Sequence, residues 1–518
     1  MERGGEAVTG DYLLGVDIGT YSSKGVLVTR GGSVVAQATV AHALAMPKPG
    51  RFEHDADGVW WSDFVTVTRR LLAASGIEAG RIAGVGTSGI GPCVLPVDSE
   101  GRPLRPGILY GIDTRASEEI AYLERKLGTR WIRRHGKGSL SAQSSGPKIL
   151  WLRTHEPEVF DRARWFLTSQ AYLVQRLTGA ATIDVYTASS YAPLFDAEGI
   201  LWNRRAAGCI TGLEKLPKVC WSTEIAGEVT AAAARQTGLA EGTPVIVGTT
   251  DAAAEAVSAG VSASGEMMLM FGSTIFFIAR TRELRASRVF WCSSFLEKDT
   301  YALAGGMSTG GSLTTWFRDE FGRPEIDIEG RGGENAFTAL AKLAEKSPPG
   351  ANGLIALPYF AGERTPLNDP DAKGVIFGLS LRHARSDVYR AILEGIGYGV
   401  AHNLAVMGKE GIQPSRILSV GGGTKNVALL QIVADIAGVE LTVPEVQMGA
   451  AYGDAFMAAV GIGAYRSASE IGQWVRYREP VVPRRAYHDR YRAGFKRYRE
   501  LYEATKPIMR ELSVSQAM

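Results

Sequence analysis

The sequence has little cysteine, little net charge and no long apolar run. Its four cysteines, Cys93, Cys209, Cys220 and Cys292, lie far apart, without a CxxC pair or histidines at metal-ligand spacing. The 57 basic and 54 acidic residues give a net charge of +3, too balanced for a dedicated binder of nucleic acid or membrane surfaces. No apolar run reaches membrane-spanning length, and the charged N-terminus lacks the apolar core of a signal peptide. We therefore expect reduced thiols in a cytoplasmic protein that binds neither nucleic acid nor a membrane.

Apolar, strand-like runs alternate with helix-like segments through most of the 518 residues. A first set begins with "YLLGVDIG" and "KGVLVT", and a second set begins near residue 245. Both sets contain a strand, a small polar turn and a second strand, in "GVDIGTYSSKGVLV" and "MLMFGSTIFFIA". We therefore expect an α/β fold with a duplicated mixed-sheet core whose turns face a shared cleft. The expected domains are 1–250 and 251–475, followed by a helical tail over 476–518.

The C-terminal segment combines basic and aromatic side chains. Tyr487, Tyr491, Tyr498 and Tyr502 recur at near-helical spacing among arginines and lysines. Such a composition is found in nucleic-acid-binding segments. It also fits an amphipathic helix that docks through its aromatic stripe, and this is the reading we favour.

The stretch "YLLGVDIGTYSSKGVLV", Tyr12 to Val28, places an aspartate and a small polar turn between two apolar runs. A dinucleotide-binding loop turns from a strand into a helix, whereas this stretch turns from one β-rich run into another, which argues against a dinucleotide oxidoreductase. A hairpin rich in Gly, Thr and Ser can aim backbone N–H groups and hydroxyls at an anion. Asp17, at the strand end, could then hold Mg²⁺ directly or through water. The alternative is an ordinary hairpin whose aspartate makes an Asx turn.

A second aspartate follows an apolar strand in "VIVGTTDAAAEA". Asp251 stands where that strand gives way to a helix of small residues. An aspartate at this point can simply be the N-cap of the helix, which stabilises it by about 1 kcal/mol. In a cleft, the same carboxylate could take a proton from an attacking hydroxyl.

Three further segments place small residues after apolar strands, where backbone can approach a ligand closely. They are "FGSTIFFI" with Gly272, Ser273 and Thr274, "STGGSLTTWF", and "SVGGGTKN". Each is a weak signal alone. Together with the first hairpin and Asp251, they predict two phosphate-facing turns, a carboxylate base and a glycine-rich surface for a flat ring.

These residues resemble the FGGY family of carbohydrate kinases, within the actin-like ATPase superfamily. The most specific match is "GVIFGLSLRHARSDVYRAILEG", Gly374 to Gly395, which follows the second signature of the family position by position. "PKILWLRTH" resembles the core of the first signature, although Gln143 departs from its leading residue class. "VDIGTYSSK", "GTTDAA", "FGSTIFF", "GERTPLNDP" and "GGGTKN" occur in family order, and the resemblance spans residues 12 to about 465. It implies two actin-like, ribonuclease H-like domains around a central cleft.

The resemblance also implies roles for individual residues. Asp251 resembles the catalytic base, and Asp17 resembles the carboxylate near the Mg²⁺ of the nucleotide. The expected ATP-binding positions are Thr20, Ser22 and Ser23 in a first phosphate loop, Gly272 and Ser273 in a second, and Gly311, Gly422 and Asn426.

The substrate positions fit the family less closely. Xylulokinases typically carry Gln-Met-His-Gly, and glycerol kinases an Arg-Glu pair, where this chain has "SGIGPC", Ser88 to Cys93. "LYGIDTRA" keeps Asp113 and Arg115 but lacks the Trp-Asn that often precedes them. Since a missing polar partner changes discrimination sharply, neither D-xylulose nor glycerol carries over. The expected acceptor contacts are Ser88, Asp113, Arg115, Gln143 and Asp251.

The sequence therefore predicts ATP-dependent and Mg²⁺-dependent phosphorylation of a small-molecule sugar or polyol. The expected reaction has Asp251 as its base. A homodimer is the assembly we consider. The alternative is an actin-like ATP-dependent switch or a sugar-binding regulator without kinase activity, because fold alone does not fix function.

Overall fold

The fold is built on two mixed β-sheets, one in each half of the chain. The computed structural model describes residues 10–517. In the first half, the sheet order is β14-β15-β6-β1-β2-β3, with β16 also pairing with β6. Strands β1 and β2 are antiparallel, whereas β1 and β6 are parallel and place Asp17 opposite Ser88. The strands of this half are β1 Tyr12–Ile18, β2 Ser22–Thr29, β3 Val34–Ala41, β4 Ala45–Lys48, β5 Arg51–His54, β6 Ile82–Gly89, β7 Leu95–Val97, β8 Gly107–Ile108, β9 Trp165–Leu167, β10 Thr182–Asp184, β11 Phe195–Asp196, β12 Leu201–Trp202, β13 Lys218–Cys220, β14 Ile225–Glu228, β15 Pro244–Ile246 and β16 Thr249–Thr250.

The second sheet repeats the arrangement of the first. Its order is β19-β20-β18-β17-β23-β24, and β17 pairs antiparallel with β18 and parallel with β23. Both sheets thus contain a hairpin whose first strand lies beside a parallel strand from later in the chain. This confirms the predicted α/β class with a duplicated core. The strands are β17 Glu266–Phe271, β18 Ile275–Thr281, β19 Trp291–Ser294, β20 Tyr301–Met307, β21 Ile355–Leu357, β22 Val375–Phe377, β23 Arg416–Val420 and β24 Leu441–Thr442.

Helices cover both sheets. A large apolar core lies beneath each sheet, and a third core joins the two halves. No helix within residues 10–517 is both long and apolar enough to span a bilayer. The helices are α1 Ser62–Ser75, α2 Ser117–Leu127, α3 Thr129–Gly136, α4 Ser145–His155, α5 Pro157–Arg162, α6 Ser169–Thr178, α7 Val185–Ala188, α8 Arg204–Ile210, α9 Ala231–Thr237, α10 Asp251–Ala259, α11 Gly311–Phe321, α12 Arg323–Gly330, α13 Ala336–Glu345, α14 Arg385–Lys409, α15 Val427–Ala437, α16 Ala450–Gly461 and α17 His488–Ala517.

Helix α16 is wedged between the first sheet and α10, and glycines make this possible. A Cβ atom on Gly15 of β1 would lie 1.9 Å from the carbonyl oxygen of Ala451, and one on Gly86 of β6 would lie 2.1 Å from that of Asp454. On the opposite side, a Cβ on Gly453 would lie 2.0 Å from the carbonyl oxygen of Ala254 in α10. The backbones are therefore in direct contact. This contact sets α10, and with it Asp251, relative to β1 and β6.

Replacing Gly453 by Ala is expected to destabilise the protein by about 1–3 kcal/mol, because the added methyl group forces α16 away from α10. Turnover should fall as well, since α10 begins with Asp251. Chemical denaturation monitored by circular dichroism measures the stability change. The control is Gly208→Ala in α8, where a Cβ meets nothing within 4 Å. That change should be neutral or stabilising by up to about 1 kcal/mol. Equal stabilities for the two variants would contradict the tight contact.

The C-terminal segment docks on the second half as an amphipathic helix. Tyr491, Tyr498 and Tyr502 of α17 are buried in one apolar cluster. Their hydroxyls bond to Glu394 at 3.0 Å, to Tyr359 at 2.5 Å and to Asp369 at 2.6 Å, respectively. This confirms the interpretation of the aromatic stripe. The domain limits at 250 and 475 remain predictions, and α16, from the second half, lies against the first sheet.

Candidate active site

Asp251 is the first residue of α10, directly after the end of β16. The N-cap position belongs to Thr250, so the interpretation of Asp251 as an N-cap is wrong. Its Oδ1 accepts a hydrogen bond from the N–H of Ala252 at 2.8 Å. Burial raises the pKa of Asp251 well above its usual range, and the nearby charge of Asp17 raises it further. A carboxylate with a raised pKa is a stronger proton acceptor than an exposed one.

The hairpin β1–β2 has the strand-turn-strand form that the sequence predicts. Its turn is closed by a hydrogen bond from the N–H of Gly19 to the carbonyl oxygen of Ser22 at 3.0 Å. Thr20 and Ser22 are partly exposed, and the hydroxyl of Thr20 lies 3.3 Å from that of Tyr110. Ser23 differs from both, because it is fully buried and donates to Asp63 at 2.7 Å. Its hydroxyl is turned into the core, so Ser23 does not join Thr20 and Ser22.

Ser88 lies between two buried carboxyl groups. Its hydroxyl oxygen is 3.1 Å from Oδ1 of Asp17 and 2.7 Å from Oδ2 of Asp454. A hydroxyl has one hydrogen and can donate to one carboxylate only. Burial, and after it the charge of Asp17, raises the pKa of Asp454 well above its usual range, and the hydroxyl of Ser88 connects the two carboxyl groups. Burial raises the pKa of Asp17 to about 6, and the hydrogen bond from Ser88 partly offsets this rise.

Replacing Asp454 by Ala is expected to raise the Mg²⁺ concentration needed for half-maximal activity roughly tenfold, because Ser88 then loses one of its two hydrogen-bond partners and Asp17 is less firmly held. Asp454→Asn keeps a side chain that can pair with Ser88 in the same place and should stay within about threefold of the wild type. A magnesium titration at saturating ATP measures the difference. Equal requirements for the Ala and Asn variants would contradict the hydrogen-bonded chain.

A cavity of about 160 Å³ lies between the two halves of the chain, with Asp251 in its wall. Gln143 also lines this cavity, and its Oε1 accepts from the N–H of Gly111 at 3.1 Å. Phe276 and Trp291 form part of the wall on the side of the second half. The other lining residues are Gly91, Pro92, Gly136, Gly138, Ser139, Ser141, Ser144, Tyr186, Thr187, Ser189, Ser190, Ala192, Thr250, Ala252, Cys292, Ser293 and Ala304.

The other expected acceptor contacts are not in the cavity wall. Ser88 is fully buried between its two carboxyl partners. Asp113 is fully buried too, and it pairs with Arg115 at 2.7 Å and accepts from the N–H of Phe52 at 2.7 Å. Arg115 also pairs with Glu53 at 2.8 Å. Gln143 and Asp251 therefore line the same cavity. Asp113 and Arg115 instead belong to a network of ion pairs outside its wall.

The second predicted phosphate turn comes together with the start of α11. The N–H of Gly311 donates to the carbonyl oxygen of Gly272 at 2.8 Å, and the N–H groups of Gly310 and Ser312 donate to that of Ser273. Ser273 itself is exposed. Gly272, Ser273 and Gly311 therefore form one surface, although "FGST" and "TGGS" are far apart in the sequence.

The segment after β23 lies at the same sheet edge, because β23 runs parallel to β17. A Cβ on Gly423 would lie 2.8 Å from that of Phe271, which ends β17. Gly422 has nothing within 4 Å of a Cβ. Asn426 caps α15 by accepting from the N–H of Leu429 at 3.0 Å. Gly423 thus lies against the end of β17, just before the 272–273 turn, and the neighbouring Gly422 faces open space.

Magnesium can be tested against these groups. Within residues 10–517 there is no set of three or more His, Cys, Asp or Glu side chains that could hold a metal by themselves. Mg²⁺, however, is usually bound by one or two carboxylates together with substrate phosphates and water. Asp17 supplies one such carboxylate, fixed by Ser88 at the base of the first turn. The donor set fits a metal that arrives with a nucleotide.

Asp454 and the role of Ser88 were missed by the sequence reasoning. The one available signal was an aspartate within the otherwise apolar "AAYGDAFMAAV". A charged residue on such a helix requires a partner. The partner, Ser88, lies 366 positions away, so only the fold reveals it.

Comparisons with known proteins agree with this geometry. Residues 12–258 match the N-terminal domain, and residues 267–462 the C-terminal domain, of the FGGY family of carbohydrate kinases. The xylulose kinase of Staphylococcus xylosus is 28% identical over 95% of this chain and 100% of its own length. The gluconokinase of Bacillus subtilis is 28% identical over 88% of this chain and 87% of its own. The crystal structure of xylulose kinase from Rhodospirillum rubrum superposes with a TM-score of 0.87 at 29% identity, covering 96% of this chain and 99% of that one.

Proposed function

Because the chain belongs to the FGGY family of carbohydrate kinases, whose phosphate donor is ATP, we propose that it phosphorylates a hydroxyl of a sugar or polyol bound beside Asp251. The observation that supports this most strongly is the cavity between the two halves, which has Asp251 in its wall. An acceptor there lies next to a partly buried carboxylate, as proton removal from a hydroxyl requires.

Asp251 is the proposed general base. As the acceptor oxygen forms its bond to the γ-phosphorus, the bond from that phosphorus to the β–γ bridging oxygen breaks, and ADP leaves with the electron pair. The hydroxyl proton passes to the Asp251 carboxylate. Its Oδ1 accepts a hydrogen bond from the backbone N–H of Ala252. Phosphoryl transfer asks little covalent chemistry of the protein, so positioning and electrostatics supply most of the rate.

The two turns are proposed to hold the phosphates. Thr20 and Ser22 offer hydroxyls at the first turn, and Ser273 is exposed at the second. Gly422 leaves open space at the sheet edge where the nucleotide base would lie. Asp17 is the proposed Mg²⁺ carboxylate. When bound there, the ion neutralises negative charge on the phosphate oxygens.

An ATP-dependent switch without kinase activity is not favoured, since the named relatives are kinases. A homodimer remains a prediction.

The direct test is a coupled assay of ADP release over pentuloses, hexuloses, pentitols and hexitols, each with and without Mg²⁺. We expect at least one acceptor to stimulate ADP release well above the hydrolysis of ATP alone. Binding of ATP without stimulation by any carbohydrate would overturn the proposal and favour the switch.

A further inference from the structure

The lining of the cavity also specifies the electrical charge of the acceptor. Resting on the proposed function, we propose that the acceptor is an uncharged, polyhydroxylated carbohydrate, and that sugar acids and sugar phosphates are excluded. The named relatives do not decide this point, because they include kinases of both xylulose and gluconate.

The only acidic side chain among the described residues that line the cavity is Asp251. The described residues that line the cavity include no Lys, Arg or His. Burial raises the pKa of Cys292 to about 12 and also raises the pKa of Tyr186, so both are neutral. A carboxylate or phosphate on the ligand would therefore lie near Asp251 without a cation to balance it. Like charges at short distance in a partly buried site repel strongly.

Basic side chains near the cavity are turned away from it. His135 and Lys137 alternate with the lining residues Gly136 and Gly138. His135 lies 2.6 Å from Asp196, and Lys137 pairs with Glu198.

On the side of the second half, Arg364 donates through one terminal nitrogen to the carbonyl oxygens of Met307, at 2.6 Å, and Ile275, at 3.3 Å, directly before Phe276. Its Nε has no hydrogen-bond partner among the described residues. Arg364, like His135 and Lys137, is not among the described residues that line the cavity.

One buried hydroxyl in the lining has no partner. Thr250 is 7% exposed, and its hydroxyl oxygen has no hydrogen-bond partner among the described residues. A buried unpaired hydroxyl is unfavourable, and a hydroxyl of a ligand can pair with it. Thr250 therefore indicates a ligand that brings a hydroxyl group to this wall.

The wall from the second half is aromatic. The rings of Phe276 and Trp291 have centroids 6.3 Å apart and are inclined by 22°. A flat apolar surface suits the C–H face of a sugar, while the serines and threonines opposite suit its hydroxyls. An uncharged carbohydrate has both faces.

The test uses pairs that differ only in the carboxylate, such as D-glucitol with D-gluconate and D-xylitol with D-xylonate, together with neutral ketoses. We expect kcat/KM for the best uncharged compound to exceed that for any aldonate at least 100-fold. An aldonate within tenfold of the best neutral compound would overturn the inference while leaving the kinase function intact. If no compound is phosphorylated, the proposed function fails, and calorimetric titration of the same pairs decides the charge preference. Neutral binding alone would support it, and aldonate binding would overturn it.

A matched pair of variants tests the hydroxyl contacts. Thr250→Val removes a hydroxyl that has no hydrogen-bond partner among the described residues, so the melting temperature should be unchanged or higher. The KM for the uncharged acceptor should rise roughly tenfold. Thr182→Val removes another buried, unpartnered hydroxyl, outside the cavity lining, and should change neither value. An unchanged KM for Thr250→Val would overturn the role of this hydroxyl in binding the acceptor.

Discussion

Replacing Asp251 by Asn should lower kcat for carbohydrate phosphorylation by roughly 10²–10⁴-fold, because the amide cannot accept the hydroxyl proton. The change keeps the size of the side chain and the acceptor that bonds to the N–H of Ala252. Binding of ATP should therefore stay close to that of the wild type. Steady-state kinetics with the best acceptor, together with calorimetric titration of nucleotide, separates the two effects.

The control for this substitution is Glu255→Gln, one helical turn further along α10. Glu255 is also a carboxyl group with a raised pKa, about 7, owing first to burial and then to the charge of Asp17. It does not line the cavity, so its loss should change kcat by less than tenfold. If Asp251→Asn kept kcat within tenfold of the wild type, the assignment of the base would be wrong.

The pH profile of the wild type supports the same test. Burial and the charge of Asp17 favour the protonated form of Asp251, and the base acts as the carboxylate. The kcat/KM should therefore fall as pH is lowered through the raised pKa. The acid limb should lie above the ordinary range of aspartate. In the Asp251→Asn variant, this limb should disappear from the residual activity.

The sequence predicts a functional feature well where that feature lies within one short contiguous segment. The hairpin of Tyr12 to Val28 and the position of Asp251 after a strand follow from local alternation and turn residues. The joining of Gly272 with Gly311 follows less directly, because it depends on a turn and a helix start that the second sheet brings together.

The differences between expectation and structure come from packing between distant segments. Ser23 stands beside Ser22 in the sequence, yet the strand alternation turns it toward Asp63. Asp113 and Arg115 match family positions, but they satisfy one another in the interior. Local pattern gives the face of a strand only approximately, and it carries no information on which side chain a buried group meets.

Asp17→Asn is the second variant with a large expected effect. It should leave the stability of the nucleotide-free protein unchanged or higher, and it should weaken magnesium-dependent binding of ATP. Burial raises the pKa of Asp17 to about 6, so the folded state holds this proton more tightly than an unfolded chain does. Above pH 6 its ionisation therefore disfavours the folded state. Removing the charge at pH 8 should leave the nucleotide-free protein as stable as before, or more stable.

The second expected effect of Asp17→Asn concerns binding of the metal. Loss of the carboxylate should weaken magnesium-dependent binding of ATP by at least roughly 10-fold to 100-fold. Stabilisation by a ligand follows its ratio of concentration to dissociation constant. The rise in melting temperature on adding Mg²⁺ and ATP should therefore shrink, while the rise with metal-free nucleotide should not.

Asp11→Asn is the matched control, since Asp11 lies just before the other end of β1 and pairs with Arg81 at 2.7 Å on the exposed surface. Such exposed ion pairs contribute little to stability, so Asp11→Asn should change neither the stability of the nucleotide-free protein nor magnesium-dependent binding of ATP. A structural role for Asp17 would lower the melting temperature of the nucleotide-free protein. Equal rises in melting temperature with and without Mg²⁺ in the wild type would instead mean that no metal binds at Asp17. Because the two alternatives move different measurements, the variant distinguishes a carboxylate that holds the fold from one that holds the nucleotide's cation.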